Sequence, residues 1–172
     1  EEEELAMYQA AIEAAEGAGL AQYEISNFAR PGHQSRHNLI YWRNQPYLGL
    51  GPGAHSWWEG VRRANLGPLP AYEAALQAGR LPLEREEPIS RALEMDETMF
   101  LGLRLTREGV DRAAFRARFG TEPEAVYGLA IDRLVRLGLL EADAHRIRLT
   151  RQGVPVANQV FLAFLRTVPT AV

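Results

Sequence analysis

The chain has 172 residues, of which 47% are hydrophobic and 24% are charged, a composition typical of globular proteins. Its net charge of −3 provides no overall positive field that attracts nucleic acid or an anionic membrane, so any binding of a polyanion must be local. The sequence contains no cysteine, which excludes disulfides, thiolate catalysis and iron–sulfur or zinc–thiolate sites within this chain and leaves histidine and carboxylates as metal ligands.

The N-terminal residues argue against a signal peptide. Glu1 to Glu4 form an acidic run, whereas a signal peptide begins with basic residues. No apolar run approaches the roughly 20 residues that span a membrane, so we predict no membrane anchor. We therefore expect a cytoplasmic protein.

A helix followed by a strand is predicted at the start of the chain. Apolar residues recur with helical spacing from Leu5 to Ala15, and the pattern stops at Gly17. Residues 20–28 predict a short buried strand, which Pro31 terminates.

A second apolar run, residues 47–51, predicts another strand, which leads into a glycine-rich turn over residues 51–56. Helix, strand, loop and strand in this order are typical of an α/β layer, in which loops at the carboxyl ends of the strands carry the site. A domain boundary is indicated near residues 67–70. The predicted fold class is therefore α/β, followed by a mainly α part.

Beyond this boundary the sequence predicts mainly helices. They cover residues 88–103, 111–120, 123–137 and 156–165. Asp111 is expected to cap the second of these helices, and Gly120 to end it. Residues 139–141 and 146–150 are predicted to pair as a β-hairpin. Three helices, a hairpin and a closing helix are the element order of a winged-helix-like domain.

Winged-helix domains often bind DNA, but the charges of this region give little support for that function. From Arg107 to Arg151 there are nine arginines and seven carboxylates, a net charge of +2. A protein that contacts several phosphates needs several uncompensated cations. We therefore interpret the domain as a structural or docking module, and disfavour nucleic acid as a partner.

The segment from Arg30 to Arg43 has an unusual composition. It contains three arginines, two histidines and an adjacent tyrosine and tryptophan, and the sequence has no Asp or Glu between Glu24 and Glu59. Such a segment sets up a local positive potential that attracts carboxylates or phosphates. It therefore indicates a site for a flat, anionic ligand.

His37 is the candidate metal ligand of this segment, because neutral imidazole is a common protein ligand of heme iron. In this interpretation Tyr41 and Trp42 stack on a macrocycle, and Arg30, Arg36 and Arg43 pair with its propionates. In the alternative interpretation His37 and Asn38 hydrogen-bond to loop backbone, and Trp42 fills the core. Spacing alone does not decide between the two.

The glycine-rich segment from Gly49 to Ser56 also has two interpretations. Glycines let the backbone approach a cofactor closely and leave amides free to donate. However, the glycines stand at alternate positions, Pro52 has no amide hydrogen, and no helix pattern follows. Spacing therefore favours a tight turn at a strand end over a dinucleotide-binding loop.

Three strings, taken together and in this order, resemble the second half of the HemW heme chaperones. These proteins are a radical S-adenosylmethionine family related to the oxygen-independent coproporphyrinogen III oxidases. The strings are Y-E-I-S-N-F-A-R-P-G at residues 23–32, H-N-L-I-Y-W at 37–42 and G-L-G-P-G-A-H-S at 49–56. The H-N-x-x-Y-W string resembles the signature that separates the heme-binding branch from the true oxidases. Further similarity between residues 94 and 153 extends the resemblance over nearly the whole chain.

The resemblance implies a division of the chain into two parts. Residues 1–65 would be the C-terminal part of a partial (β/α) barrel, and residues 66–172 a helical, winged-helix-like C-terminal domain of the HemN type. The chain would then be a C-terminal fragment of a longer protein. An incomplete barrel exposes an unpaired strand edge, so we expect self-association.

The resemblance also implies a heme site. Its residues would be His37 as the ligand of the heme iron, with Asn38, Tyr41, Trp42 and Arg36 around it. Whether His33 or His55 supplies a second axial bond stays open.

For the other cofactors, the resemblance implies S-adenosylmethionine and a 4Fe-4S cluster in the full-length parent. S-adenosylmethionine would lie near Ala29 and the turn of Gly49, Gly51 and Gly53. The family holds its cluster through a C-x-x-x-C-x-x-C loop, which this cysteine-free chain lacks. We therefore expect no radical chemistry from this chain alone.

The leading functional hypothesis is a heme chaperone that binds heme and delivers it to a recipient hemoprotein. One alternative is an enzyme of the coproporphyrinogen III oxidase type, which decarboxylates porphyrinogen propionates by radical chemistry. The other alternative is a winged-helix regulator that binds nucleic acid.

Overall fold

The structure is a computed structural model that describes residues 2–165. The chain divides into two compact units. The first unit combines the residues up to Asn44 with those from Met95 onward, and the second is Gln45–Glu94. The predicted boundary after residue 65 falls inside the second unit and stays a prediction about the domains of the longer protein.

The first unit begins with helix α1, Glu2–Gly17, strands β1, Ala21–Glu24, and β2, Asn27–Ala29, and helix α2, Arg36–Trp42. The two strands form an antiparallel hairpin in which Ala21 faces Ala29. The single strand predicted over residues 20–28 is therefore wrong. The polar Ser26 and Asn27, amid apolar neighbours, mark the place where the chain reverses.

The second unit contains strands β3, His55–Trp58, and β4, Val61–Asn65, helix α3, Leu69–Gln77, and strand β5, Leu83–Pro88. The strands form an antiparallel sheet in the order β3-β4-β5. Glu59 and Gly60 join β3 to β4, both with positive φ, as a two-residue hairpin turn requires.

The strand predicted over residues 47–51 is wrong. Within that run Tyr47 forms a single isolated bridge to Trp57. Gly51 and Gly53 both have positive φ, so the backbone turns where the prediction extends it.

The remainder of the first unit follows the predicted element order. It begins with helix α4, Arg91–Gly102, whose first residues lie in the second unit. Next come strand β6, Val110–Asp111, and helices α5, Arg112–Phe119, and α6, Pro123–Arg136. The last elements are strands β7, Leu140–Ala142, and β8, Arg146–Leu149, a short 3-10 helix, Val154–Val156, and helix α7, Ala157–Leu162. The three strands form an antiparallel sheet in the order β6-β8-β7. The predicted helices and the β7-β8 hairpin are confirmed.

The caps of α5 explain why its bounds are predictable. The Asp111 side chain accepts a hydrogen bond from the Ala114 backbone N–H at 2.8 Å, and Gly120 ends the helix in the left-handed conformation with φ 62°. Both predicted caps are confirmed.

The hydrophobic core of the first unit is built from α4 to α7 and the β6-β8-β7 sheet. Its most deeply buried side chains, all of them inaccessible to solvent, are Met99, Leu103, Ile147, Val160 and Phe164. Tyr8 of α1 and Ile25 of the β1-β2 turn pack against this core. Among residues 2–165, no helix is both long and apolar enough to cross a membrane.

Candidate functional site

The H-N-x-x-Y-W string folds as helix α2, which the sequence interpretation treated as a loop. The hydroxyl of Ser35 accepts a hydrogen bond from the Asn38 backbone N–H at 3.3 Å and so caps the helix. The Arg43 N–H bonds back to the Leu39 carbonyl at 3.0 Å, which closes its last turn. The serine two residues before His37 was the local signal for this helix.

His37 lies in the first turn of α2 with an exposed side chain. Its ring meets the Tyr41 ring edge to face, with centroids 4.8 Å apart and planes at 90°. The imidazole makes no hydrogen bond or ion pair with the described residues. Because ligation needs an unhindered ring nitrogen, the exposed His37 meets the first geometric requirement of a metal ligand.

The three arginines of the predicted anion site differ in their surroundings. Arg30 and Arg36 are exposed, and their side chains form no ion pair with any described residue. In contrast, Glu108 binds Arg43 through both carboxylate oxygens at 2.8 Å, and this hydrogen bonding raises the pKa of Arg43. Two of the three cations therefore remain free to pair with an anionic ligand.

Trp42 is half-buried at the end of α2. The guanidinium carbon of Arg104 lies 4.2 Å from the centroid of its ring. One face of the indole is therefore covered by a protein cation and cannot stack on a ligand. Asn38 is also half-buried, and its backbone N–H donates the capping hydrogen bond to Ser35.

His33 and His55, the two candidates for a second axial ligand, are also exposed. His33 lies in the turn before α2, where its backbone N–H donates to the Arg30 carbonyl at 2.9 Å. His55 begins β3 and belongs to the second compact unit, whereas His37 belongs to the first.

The residues predicted to lie near S-adenosylmethionine are divided between the units. Ala29 is buried at the end of β2 in the first unit, and the three glycines belong to the second. A Cβ added to Gly49 would lie 2.1 Å from the carbonyl oxygen of His55, so packing within the turn itself requires glycine there.

Asn65 completes this turn. Its amide donates to the Gly49 carbonyl at 3.3 Å and to the Gly51 carbonyl at 2.9 Å. The Gly49 N–H donates to the Ser56 hydroxyl at 2.9 Å, so the turn satisfies much of its own hydrogen bonding.

The donor set of the chain does not fit an iron–sulfur cluster. The sequence has no cysteine, and residues 2–165 contain no group of three or more His, Asp or Glu side chains placed to hold a metal ion. A single imidazole that binds heme iron needs no such group, because the porphyrin nitrogens supply the equatorial ligands.

The sequence did not predict the residues that contact the end of α2 from distant positions in the chain. Arg104 contacts Trp42 and pairs with Glu24, and Glu108 pairs with Arg43. The Arg104–Glu24 pair spans 80 residues of sequence, and the Arg43–Glu108 pair spans 65. A single sequence holds no local signal for such pairs.

Comparison with known proteins places the chain among HemW-like sequences. Residues 89–156 match the family described as the HemN C-terminal domain. Heme chaperone HemW of Bacillus subtilis (strain 168) is 36% identical over 165 residues, which cover 96% of this chain and 43% of the relative. Heme chaperone HemW of Lactococcus lactis subsp. lactis (strain IL1403) is 39% identical over 160 residues, covering 92% of this chain and 41% of the relative.

Part of a solved structure, that of coproporphyrinogen III oxidase (HemN) from Escherichia coli, described as a radical SAM enzyme, has the same fold as this chain. The TM-score is 0.69 at 17% identity, and the match covers 93% of this chain and 40% of that one. The chain thus spans about two fifths of the length of the curated relatives quoted above. The chain is therefore HemW-like in sequence and has the mixed α/β fold of the corresponding part of HemN, and its residues 89–156 match the HemN C-terminal domain family.

Proposed function

We propose that this chain supplies the heme-binding part of a heme chaperone, with His37 as the ligand of the heme iron. The observation that carries the proposal is the exposed His37 imidazole on a capped helix, held edge to face against Tyr41. The exposed Arg36 on the same helix offers a planar cation for a heme propionate. The names of the relatives quoted above agree with this function.

In the full-length parent we propose that S-adenosylmethionine and a 4Fe-4S cluster bind, with Ala29, Gly49, Gly51 and Gly53 near S-adenosylmethionine. Support comes from the match to HemN of Escherichia coli, which is described as a radical SAM enzyme. The cluster ligands would lie outside this chain, since it has no cysteine. The partner that receives the heme would be a hemoprotein.

The proposed architecture of the parent is a partial (β/α) barrel that ends within residues 1–65 and a winged-helix-like domain within residues 66–172. The element order α4, β6, α5, α6, β7, β8 supports the second of these. Self-association of the chain and a cytoplasmic location remain predictions. Sedimentation of the chain as a monodisperse monomer that unfolds cooperatively would contradict the self-association.

Nucleic-acid binding is not favoured. Ion pairs with carboxylates engage three arginines of the region considered for DNA contact, namely Arg112 with Glu124, Arg116 with Glu122 and Arg148 with Glu141. The pairs engage arginines that phosphate contacts would require, in agreement with the low net charge of this region.

The test is a titration of the chain with ferric heme, followed by absorption spectroscopy. We expect a shifted Soret band that the His37→Ala variant loses. His145→Ala is the matched control, because His145 is also exposed but lies in the β7-β8 turn, and it should bind as the unaltered chain does. An unchanged Soret band in His37→Ala would remove His37 as the ligand.

Two further variants refine the site. Arg36→Ala should weaken heme binding about 2- to 5-fold, since an exposed charge pair contributes less than about 1 kcal/mol. The His33→Ala and His55→Ala variants test for a second axial ligand. The variant that lacks this ligand should change the spin state of the bound heme iron.

A further inference from the structure

The end of helix α2 is attached to the part of the first unit that follows residue 95. Arg104 stacks on Trp42, Glu108 binds Arg43, and the Arg118 guanidinium donates to the Asn44 carbonyl at 2.8 Å. These contacts lie at the carboxyl end of the helix, whereas His37 lies in its first turn. The orientation of the exposed imidazole therefore depends on how the far end of the helix is held.

Arg104 is itself held by Glu24. The Arg104 Nη2 donates to Glu24 Oε2 at 3.3 Å, and the Glu24 side chain has no solvent exposure. The other Glu24 oxygen accepts hydrogen bonds from the Ser26 N–H and the Asn27 amide. The Arg104 carbonyl also accepts from the Ile25 N–H at 3.2 Å, so both the backbone and the side chain of Arg104 are bound to the β1-β2 hairpin.

The cation–π contact with Arg104 holds the Trp42 ring. Its indole Nε1 is buried and has no hydrogen-bond partner among residues 2–165. An indole N–H that makes no hydrogen bond does not orient its ring, so the planar guanidinium of Arg104 against the ring face is the directional interaction. A lysine would supply the charge without the planar surface.

The Arg104–Glu24 pair is a stronger constraint than the Arg43–Glu108 pair. The Arg43 and Glu108 side chains are 41% and 38% exposed, and solvent weakens such pairs. The Arg104 and Glu24 side chains are 22% and 0% exposed. Moving Arg104 away would leave the buried Glu24 charge uncompensated, which is costly. The pair therefore keeps Arg104 in place.

We propose that Arg104 is a positioning residue of the His37 site. Held by the buried Glu24, it fixes the Trp42 ring, and through the rigid turns of α2 it sets the direction in which the His37 imidazole meets heme. The inference rests on the proposed function and adds to it a role for a residue of the HemN C-terminal domain, since Arg104 lies within residues 89–156.

The test uses the double variant Glu24→Gln/Arg104→Met, because removing both charges leaves no unpaired buried carboxylate and so preserves folding. The probe is ferric heme, and the readouts are the heme Kd and the electron paramagnetic resonance g-values, which respond to the orientation of an axial imidazole. We expect altered g-values and a Kd about 5- to 10-fold weaker, while adding His37→Ala still abolishes ligation. Arg104→Lys should give an intermediate spectrum.

The matched control is Glu122→Gln/Arg116→Met, which removes an exposed pair of the same chemistry within the first unit. It should keep the g-values and Kd of the unaltered chain. A folded Glu24→Gln/Arg104→Met variant with unaltered g-values and Kd would overturn the inference. If the double variant does not fold, an unaltered spectrum in Arg104→Lys would overturn it.

Failure of the proposed function has a different signature, because the unaltered chain would then lack a Soret band that depends on His37. In that case amide hydrogen exchange in the heme-free chain still decides whether Arg104 holds α2. The Arg43 amide hydrogen, which is donated to the Leu39 carbonyl, should exchange with solvent at least about 10-fold faster in the double variant than in the control. Equal exchange rates in the two variants would overturn the role of Arg104.

Discussion

Glu108 binds the guanidinium of Arg43 through both carboxylate oxygens, with distances of 2.8 Å to Nε and 2.8 Å to Nη2. The segment that contains Arg43 has no carboxylate of its own, yet the fold brings one to it from 65 residues away. The positive charge inferred from composition is therefore partly neutralised in the fold, and among residues 2–165 no carboxylate pairs with Arg30 or Arg36.

The Arg43–Glu108 pair is predicted to add little stability. Glu108→Gln should lower the free energy of unfolding by about 0.2–1 kcal/mol, because both side chains are more than a third exposed and solvent screens their attraction. Urea denaturation measures the change, with Glu122→Gln as a control for an exposed arginine pair. A loss above about 2 kcal/mol would mean that the pair behaves as a buried one.

Helix α6 offers a matched test of the core. Leu134 is 2% exposed and Leu129 is 91% exposed, although both lie on the same helix. Leu134→Ala should cost about 2–5 kcal/mol because it leaves a cavity, whereas Leu129→Ala should change stability by less than about 0.5 kcal/mol. Thermal unfolding of the two variants gives the comparison, and equal costs would contradict the packing of α6.

Gly49→Ala is predicted to destabilise the chain without any cofactor present. The added Cβ would lie 2.1 Å from the His55 carbonyl oxygen, and relieving that overlap should cost about 1–3 kcal/mol. Gly128→Ala is the control, since nothing lies within 4 Å of its added Cβ and alanine favours a helix interior. If Gly49→Ala melts as the unaltered chain does, a cofactor contact becomes the better reason for glycine at this position.

Asp143 in the β7-β8 turn should stabilise the fold at neutral pH but not in acid. The backbone N–H groups of His145 and Arg146 donate to Asp143, and these hydrogen bonds hold its pKa below the ordinary aspartate value of about 3.9. A carboxylate with a lowered pKa stabilises the fold at pH above its ordinary value, and this contribution is lost as the pH falls through the lowered pKa.

The Asp143→Asn variant tests this prediction, because an amide can accept the same hydrogen bonds but carries no charge. The urea midpoint of the unaltered chain should exceed that of the variant near pH 7, and the difference should shrink as the pH falls below about 4. A difference that stays constant from pH 7 to pH 2 would show that the charge of Asp143 contributes nothing.

Local sequence signals predicted the elements that depend on local physics. The α5 helix was predictable because Asp111 and Gly120 are strong cap residues, and α6 because its apolar spacing matches one helical face. Residues 20–28 and 47–51 were predicted as strands because apolar runs fit an extended chain. Turn chemistry overrode that pattern, at Ser26 in the first run and at the glycines near the end of the second.

The candidate site was predictable only in part. His37 and Tyr41 stand four residues apart, so one helical turn brings their rings together, and composition alone identified Arg36 as an available cation. The contacts that hold this helix involve Glu24 and Arg104, which meet across 80 residues. Such pairings follow from the assembled tertiary fold, which a single sequence does not reveal.

The long sequence separation of these contacts has a consequence for how the protein forms during synthesis. A seven-residue helix such as α2 is marginal in water by itself. The ribosome releases Arg36–Trp42 about 60 residues before Arg104 and Glu108 emerge, a delay of roughly 3–12 s at ordinary elongation rates. During that interval the segment Arg36–Trp42 lacks its contacts with Arg104 and Glu108, so helix α2 should become stable only after these two residues have been made.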